Sequence, residues 1–286
     1  MCDEDTNPWL PEAIAMSRRS FGVGAGAVVA LTAAEASAQA AVTEKDVTVK
    51  AGDGEADAVL FYPSGKGKWP AVLIWTDIGG LRPAFRDMGR RLAAQGYVVL
   101  VPNPFYRSAK PADYAKLSFG TPEGRQALMG YRGAMKDDGV DSDSKAYIAF
   151  LDAQPQTNKK KKVGVQGYCM GGPLTFRTTA AVANRVGASA TFHGGGLVTP
   201  QPNSPHLLVA KTTSAYLCCV AKNDDARAPT DKDVLKKALD DAKRPNTVEV
   251  YGGDHGWTVP GSAVYNQAEA ERAWGALSAL YKTHLA

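Results

Sequence analysis

Cys169 stands alone among glycines in GVQGYCMGGP, residues 164–173. A cysteine thiolate can attack a carbonyl carbon when a base takes its proton and nearby donors receive the charge that develops on oxygen. The apolar run KVGVQGY before it reads as a buried strand, and PLTFRTTAAVA after it has helix-forming composition. Cys169 therefore falls on a sharp strand-to-helix turn of the form GxCxG. Such a turn lifts the side chain out of the sheet and aims the first helical N–H groups at whatever it attacks.

A nucleophile of this kind needs a base and an acid, and in an open α/β sheet such groups collect at the carboxyl ends of strands. The run AYLCCVA ends in KNDD, which brings Asp224 and Asp225 to one rim. TVEVYGG ends in DHGW, which brings His255 to another, with Trp257 two residues on. The chain order of nucleophile, acid and histidine is that of the α/β-hydrolase triad, in which the carboxylate fixes the imidazole tautomer. Strand register favours Asp224 as the acid, whereas counting back from Pro229 favours Asp225. Among the four histidines, His206 falls in a Pro-rich loop and His284 in the terminal helix. His193 ends the strand-like run of TFHGGG but precedes both aspartates, so His255 is taken as the base and His193 as a residue of the substrate pocket.

The elements that must position these residues alternate two periods, the pattern of a doubly wound sheet. DVTVK and DAVLFYP read as an antiparallel pair around the turn AGDGE. PAVLIWTD, YVVLVPNP, VGVQGY, GASATFHG, AYLCCVA and TVEVYGG read as mainly parallel buried strands. Helices are expected at RPAFRDMGRRLAAQG, DSKAYIAFLDAQ, after the elbow, at DKDVLKKALDDA and at NQAEAERAWGALSALYKTHL. The segment from Phe105 to Gly133 lacks regular pattern, which leaves a lid over the site and a simple surface crossing as alternatives.

Composition narrows the function classes. With 286 residues, 44% of them hydrophobic, the chain can bury one large core. Its net charge of +4, part of it in the run Lys159 to Lys162 at the solvent end of the next strand, gives no support to nucleic-acid binding. No metal-ligand cluster, phosphate-cradling loop or dinucleotide fingerprint is present in the sequence, so no cofactor is implied.

Residues 1–40 differ in kind. SRRSFGV, with Arg18 and Arg19 between Ser17 and Phe21, precedes the short apolar stretch GAGAVVALTAA and then ASAQA, where Ala38 and Ala40 are spaced for a signal peptidase. This is the pattern of a twin-arginine export signal. It predicts a mature domain over 41–286, periplasmic or secreted, with no stable membrane insertion once the signal is removed. Export reaches an oxidising space, where cysteines matter. Cys218 and Cys219 are strand neighbours whose side chains point to opposite faces, so they read as core residues.

From about Val47 onward the chain resembles the dienelactone hydrolases. The resemblance is carried by GYCMGG, by the aspartate after AYLCCVAKN, by YGGDHGW, and by AVLIWTDIGGLRPAFRDMGRRLAAQGYVVLVPNPF. It implies an α/β-hydrolase fold and a Cys169/Asp224/His255 triad acting on a small-molecule ester or lactone. It also implies an oxyanion hole from the N–H groups of Ile78 and Met170, and Asp77, His193 and Trp257 are expected at the substrate. In that family a glutamate at the position of Asp77 contacts the resting thiol and helps convert it to thiolate. Aspartate, one methylene shorter, stands there instead. HGWTVPG also lacks the arginine that in the family follows the histidine and helps hold a substrate carboxylate, which leaves Arg82, Arg107 and Arg132 as the arginines available to an anion. A periplasmic thiol-redox or ligand-binding protein on the same fold is the alternative.

Overall fold

The structure, a computed structural model, describes residues 41–285; the expected export signal and its expected cleavage site lie outside the described residues. Each of the eight apolar runs forms a strand: β1 Val42–Ala51, β2 Gly54–Pro63, β3 Ala71–Trp75, β4 Val98–Pro102, β5 Val163–Tyr168, β6 Val186–Phe192, β7 Ala215–Ala221 and β8 Asn246–Tyr251. They make one sheet in the order β1-β2-β4-β3-β5-β6-β7-β8. The β1/β2 hairpin and the β2/β4 pair are antiparallel, and every later pairing is parallel. The architecture is that of a doubly wound, mainly parallel α/β fold.

The central strands β3, β4 and β5 are buried along their whole length. That is why they read as unbroken apolar runs rather than alternating ones. In β3, Ala71, Leu73 and Trp75 enter one core layer while Val72 and Ile74 enter the other. Each large side chain buried this way contributes about 1.5–3 kcal/mol.

The helices are α1 Pro83–Ala94, α2 Pro111–Tyr114, α3 Pro122–Ala134, α4 Asp137–Ala153, α5 Gly171–Ala181, α6 Pro205–Leu208, α7 Lys222–Arg227, α8 Asp231–Asp241 and α9 Gln267–His284. α1 and α9 cover one face of the sheet through Phe85, Leu92, Leu277 and Tyr281. α3, α4 and α5 cover the other through Leu128, Tyr147, Ile148 and Leu174. Among the described residues no helix is long and apolar enough to cross a membrane.

Two departures from the sequence pattern have physical causes. α4 begins at Asp137 rather than at Asp143, because Asp143 is a helical residue with a buried carboxylate. Its oxygens accept from the Tyr106 hydroxyl at 2.7 Å and from Arg107 Nη1 and Nη2 at 2.5 and 2.9 Å, which offsets the cost of burying the charge. The second departure is α3, which carries three glycines and buries little besides Leu128. Its start is set by Thr121, whose hydroxyl accepts from Gly124 N–H at 3.1 Å, with Pro122 in the first turn. Tyr114, Leu117, Phe119 and Leu128 from this segment wall a cavity of about 910 Å³ shared with Asp77 and Ile78.

Candidate active site

The turn from β5 into α5 is built by backbone constraint. Cys169 has φ of 53°, a left-handed conformation that side chains rarely adopt. It is held by Cys169 N–H donating to Phe192 O at 3.1 Å and by Gly172 N–H donating to Cys169 O at 3.0 Å. Side chains are excluded on both sides of it. A Cβ on Gly167 would come within 2.1 Å of Gly171 O, and one on Gly171 within 2.6 Å of both Trp75 O and Thr76 O. The glycines let the helix start, the turn and the end of β3 pack backbone to backbone, which leaves Cys169 half-buried at the carboxyl end of the sheet.

The histidine side of the site is built from side chains. β7 does not end in a loop: α7 follows it directly and carries both aspartates in its first turn. Asp224 Oδ2 lies 2.5 Å from His255 Nδ1, and Arg227 holds the other oxygen of Asp224. Asp225 turns instead to Lys232 at 2.7 Å. The strand-register count therefore selected the aspartate that meets the histidine. The loop carrying His255 is pinned by Asn223 Oδ1, which accepts from His255 N–H at 2.8 Å, and by Gly253 O, which accepts from Lys222 N–H at 3.0 Å. Burial alone would lower the proton affinity of His255. The Asp224 hydrogen bond and the adjacent Cys169 sulfur outweigh burial and push its pKa up to about 10.

His193 and Trp257 are both buried. Both were expected at the substrate, but they are 1% and 0% exposed. His193 packs against the histidine loop, and Trp257 is the buried side chain of that loop itself. The His193 ring lies 5.0 Å from that of His255 and 5.2 Å from that of Trp257, and its Nε2 is 2.9 Å from Thr258 Oγ1. Burial and the charge on His255 push the pKa of His193 well below the usual histidine range, so it is neutral. Cys218 and Cys219 are buried in different core layers as the strand pattern required, and burial raises both thiols, Cys219 to about 12.

Asp77 borders the 910 Å³ cavity, as expected of a residue beside the substrate, but both its oxygens are engaged within its own loop. Oδ1 accepts from Gly79 N–H at 2.8 Å and from Arg82 Nη1, and Oδ2 accepts from Arg82 Nη2 at 2.7 Å. Arg82 is thus committed to Asp77, and Arg107 to Asp53 and Asp143. Arg132, half-buried, donates to Met135 O at 3.4 Å. Ile78 follows β3 and Met170 follows Cys169, and the N–H of neither finds an acceptor among the described residues. Sequence reasoning missed Asn223, Arg227 and Thr258. Asn223 stands next to Asp224 in KNDD, but nothing in that spacing marks it as the partner of a backbone N–H thirty-two residues away.

The sequence profile of the dienelactone hydrolase family matches residues 56–285, nearly all of the described chain. The chain belongs to the dienelactone hydrolase family. It is accordingly a hydrolase of the ester- and lactone-cleaving kind. A relative from Synechocystis is 28% identical over 230 residues, covering 79% of this chain and 91% of the relative. The carboxymethylenebutenolidase of Rhodococcus opacus is 28% identical over 193 residues, covering 67% of this chain and 71% of that one. Among solved structures, the dienelactone hydrolase-like promiscuous phosphotriesterase P91 from metagenomic libraries superposes with a TM-score of 0.72 at 21% identity, covering 86% of this chain and all of that one. At that identity the likeness is one of fold.

Proposed function

We propose that this family member hydrolyses small carboxylic esters or lactones through a Cys169/Asp224/His255 triad. The observation that carries the reading is a single imidazole held at Nδ1 by Asp224, on a rim where the Cys169 sulfur of a strained elbow is near enough to raise its proton affinity. His255 takes the thiol proton, and the Cys169 thiolate attacks the carbonyl carbon. The oxyanion is received by the N–H groups of Ile78 and Met170, each worth about 3 kcal/mol in such a role. The alkoxide or enolate leaves with the proton from His255, and a water activated by the same imidazole then cleaves the thioester. Sulfur is a good leaving group, so the tetrahedral intermediate moves forward best when the departing oxygen is a good one too. Aryl and enol esters are favoured on that ground.

The thiol-redox alternative would need a resolving cysteine, and the other two thiols among the described residues are buried. Export by the twin-arginine route is part of the same proposal, and lysine at positions 18 and 19 should leave precursor in the cytoplasm. For the chemistry, the test is p-nitrophenyl acetate hydrolysis under reducing conditions, with intact mass read for an acyl adduct on Cys169. Turnover that persists in Cys169→Ala would defeat the proposed nucleophile.

A further inference from the structure

We infer that Asp77 and Arg82 form a brace for the loop that carries the Ile78 N–H, making Asp77 a positioning residue for oxyanion binding rather than a proton partner of the Cys169 thiol. The inference rests on the acyl-transfer reading above.

The loop from Asp77 to Arg82 uses its donors unevenly. Gly79 N–H donates to Asp77 Oδ1 at 2.8 Å, Gly80 N–H to Asp77 O at 3.0 Å, and Leu81 N–H to the Tyr114 hydroxyl at 3.2 Å. Ile78 N–H is left without an acceptor among the described residues, as are the N–H groups of Asp77 and Arg82 at the two ends of the run. The Asp77 side chain closes a turn on the residue two ahead, a conformation that aspartate supports without help. Here it has help, because Arg82 grips both its oxygens, and paired charge-assisted bonds fix geometry as well as adding energy. Arg82 immediately precedes α1, and its guanidinium lies 4.9 Å from the ring of the fully buried Phe85. The brace thus ties the loop to a helix packed on the sheet. On the opposite side, the Tyr114 hydroxyl that caps Leu81 donates to buried Asn103 at 2.9 Å.

The base of the same loop touches the elbow. Trp75 O and Thr76 O are the atoms that a Cβ on Gly171 would strike, so the start of α5 and the loop share one backbone contact. That contact brings the free Ile78 N–H and the free Met170 N–H to the same end of the sheet. Asp77 makes no hydrogen bond to Cys169; its three bonds go to Gly79 N–H and to Arg82, on either side of the loop that carries Ile78.

The experiment compares two reactions of Cys169. Ester hydrolysis builds an oxyanion, whereas alkylation by iodoacetamide displaces iodide from a saturated carbon and builds none. Asp77→Asn, Arg82→Met and the double variant are each assayed for kcat and KM on p-nitrophenyl acetate, and for the alkylation rate of Cys169 across pH. The brace requires each single change to lower kcat by roughly ten- to hundredfold with KM little moved. It requires the double variant to be no worse than either single one, because the two residues act as a unit. It also requires alkylation to keep the wild-type rate and pH dependence, and Arg82→Lys to recover part of kcat. Thermal melts identify any variant that fails to fold, and Asp77→Asn, which keeps an oxygen for Gly79 N–H, is the mildest probe. A changed pH dependence of alkylation in Asp77→Asn would overturn the inference in favour of a thiol partner, as would losses that simply add. A wild-type protein that is alkylated at Cys169 yet hydrolyses no ester would defeat the acyl-transfer reading itself, and the brace with it.

Discussion

The proposed nucleophile and its proposed base are positioned by opposite means. Around Cys169 the geometry is imposed by what is missing: glycines at 167 and 171 let three backbone segments touch where a single methyl would not fit. Around His255 it is imposed by what is present: Asn223, Asp224 and Arg227 all reach from α7 to hold one loop or the acid that serves it. Steric exclusion gives a rigid site that tolerates no added atom, whereas hydrogen bonds give one that can be weakened by degrees. The elbow should therefore fail abruptly on substitution, and the histidine rim gradually.

Gly171→Ala is the most severe test of that contrast. Its Cβ would meet two carbonyl oxygens, Trp75 O at the end of β3 and Thr76 O just past it, in backbone that cannot step aside. A loss of about 3 kcal/mol or more is expected, with turnover lost in whatever folds. Urea titration and ester turnover check it, and a variant with wild-type stability would break the comparison. Asp224→Asn comes next. It should lower kcat by about 10²-fold or more while raising KM far less, because the acid holds the tautomer during the chemical step. Asp225→Asn, whose carboxylate serves Lys232, should leave kcat near wild type. If Asp225→Asn proved the crippling change, the acid in this triad would have to be reassigned.

Asn223→Ala removes one bond to the histidine loop and leaves the triad side chains in place. A roughly tenfold fall in kcat with little change in the melting temperature is expected, on the scale of a single net hydrogen bond of about 1 kcal/mol. The smallest effect is in the pH dependence of stability. His255 holds its proton up to about pH 10, above the ordinary histidine value of 6.5. Its contribution is therefore full below about pH 6.5 and is lost as pH rises through about 10. His193 has the opposite sign: buried and neutral, it costs stability as pH falls below about 6.5, where the unfolded chain takes up a proton that the folded one refuses. The urea midpoint should decline on both sides of neutrality, and Asp224→Asn should flatten only the alkaline limb.

The parts of the site built by exclusion were the legible ones. Glycines flanking a cysteine after an apolar run report a close backbone approach, because no other residue can occupy such positions. The eight strands were legible for the related reason that burial on both faces forces unbroken apolar composition. Asp224 was selected from its pair because strand register fixes position within a residue. By contrast, α3 was hidden because it buries almost nothing, and the start of α4 because its buried charge is satisfied by Tyr106 and Arg107 from a distant loop.

The sequence by itself determined the order of elements, the strand-to-helix turn at Cys169 and the rims where Asp224 and His255 would stand. All three depend on local backbone rules and on composition that each segment carries alone. Only the tertiary structure decided that Asp77 pairs with Arg82, that the His193 and Trp257 side chains pack together beneath His255, and that Asn223 holds the histidine loop while Asp225 turns to Lys232. Those outcomes depend on which side chains meet across strands and helices. A charged or aromatic residue carries the same letter whether it faces solvent, a ligand or a partner from another part of the chain.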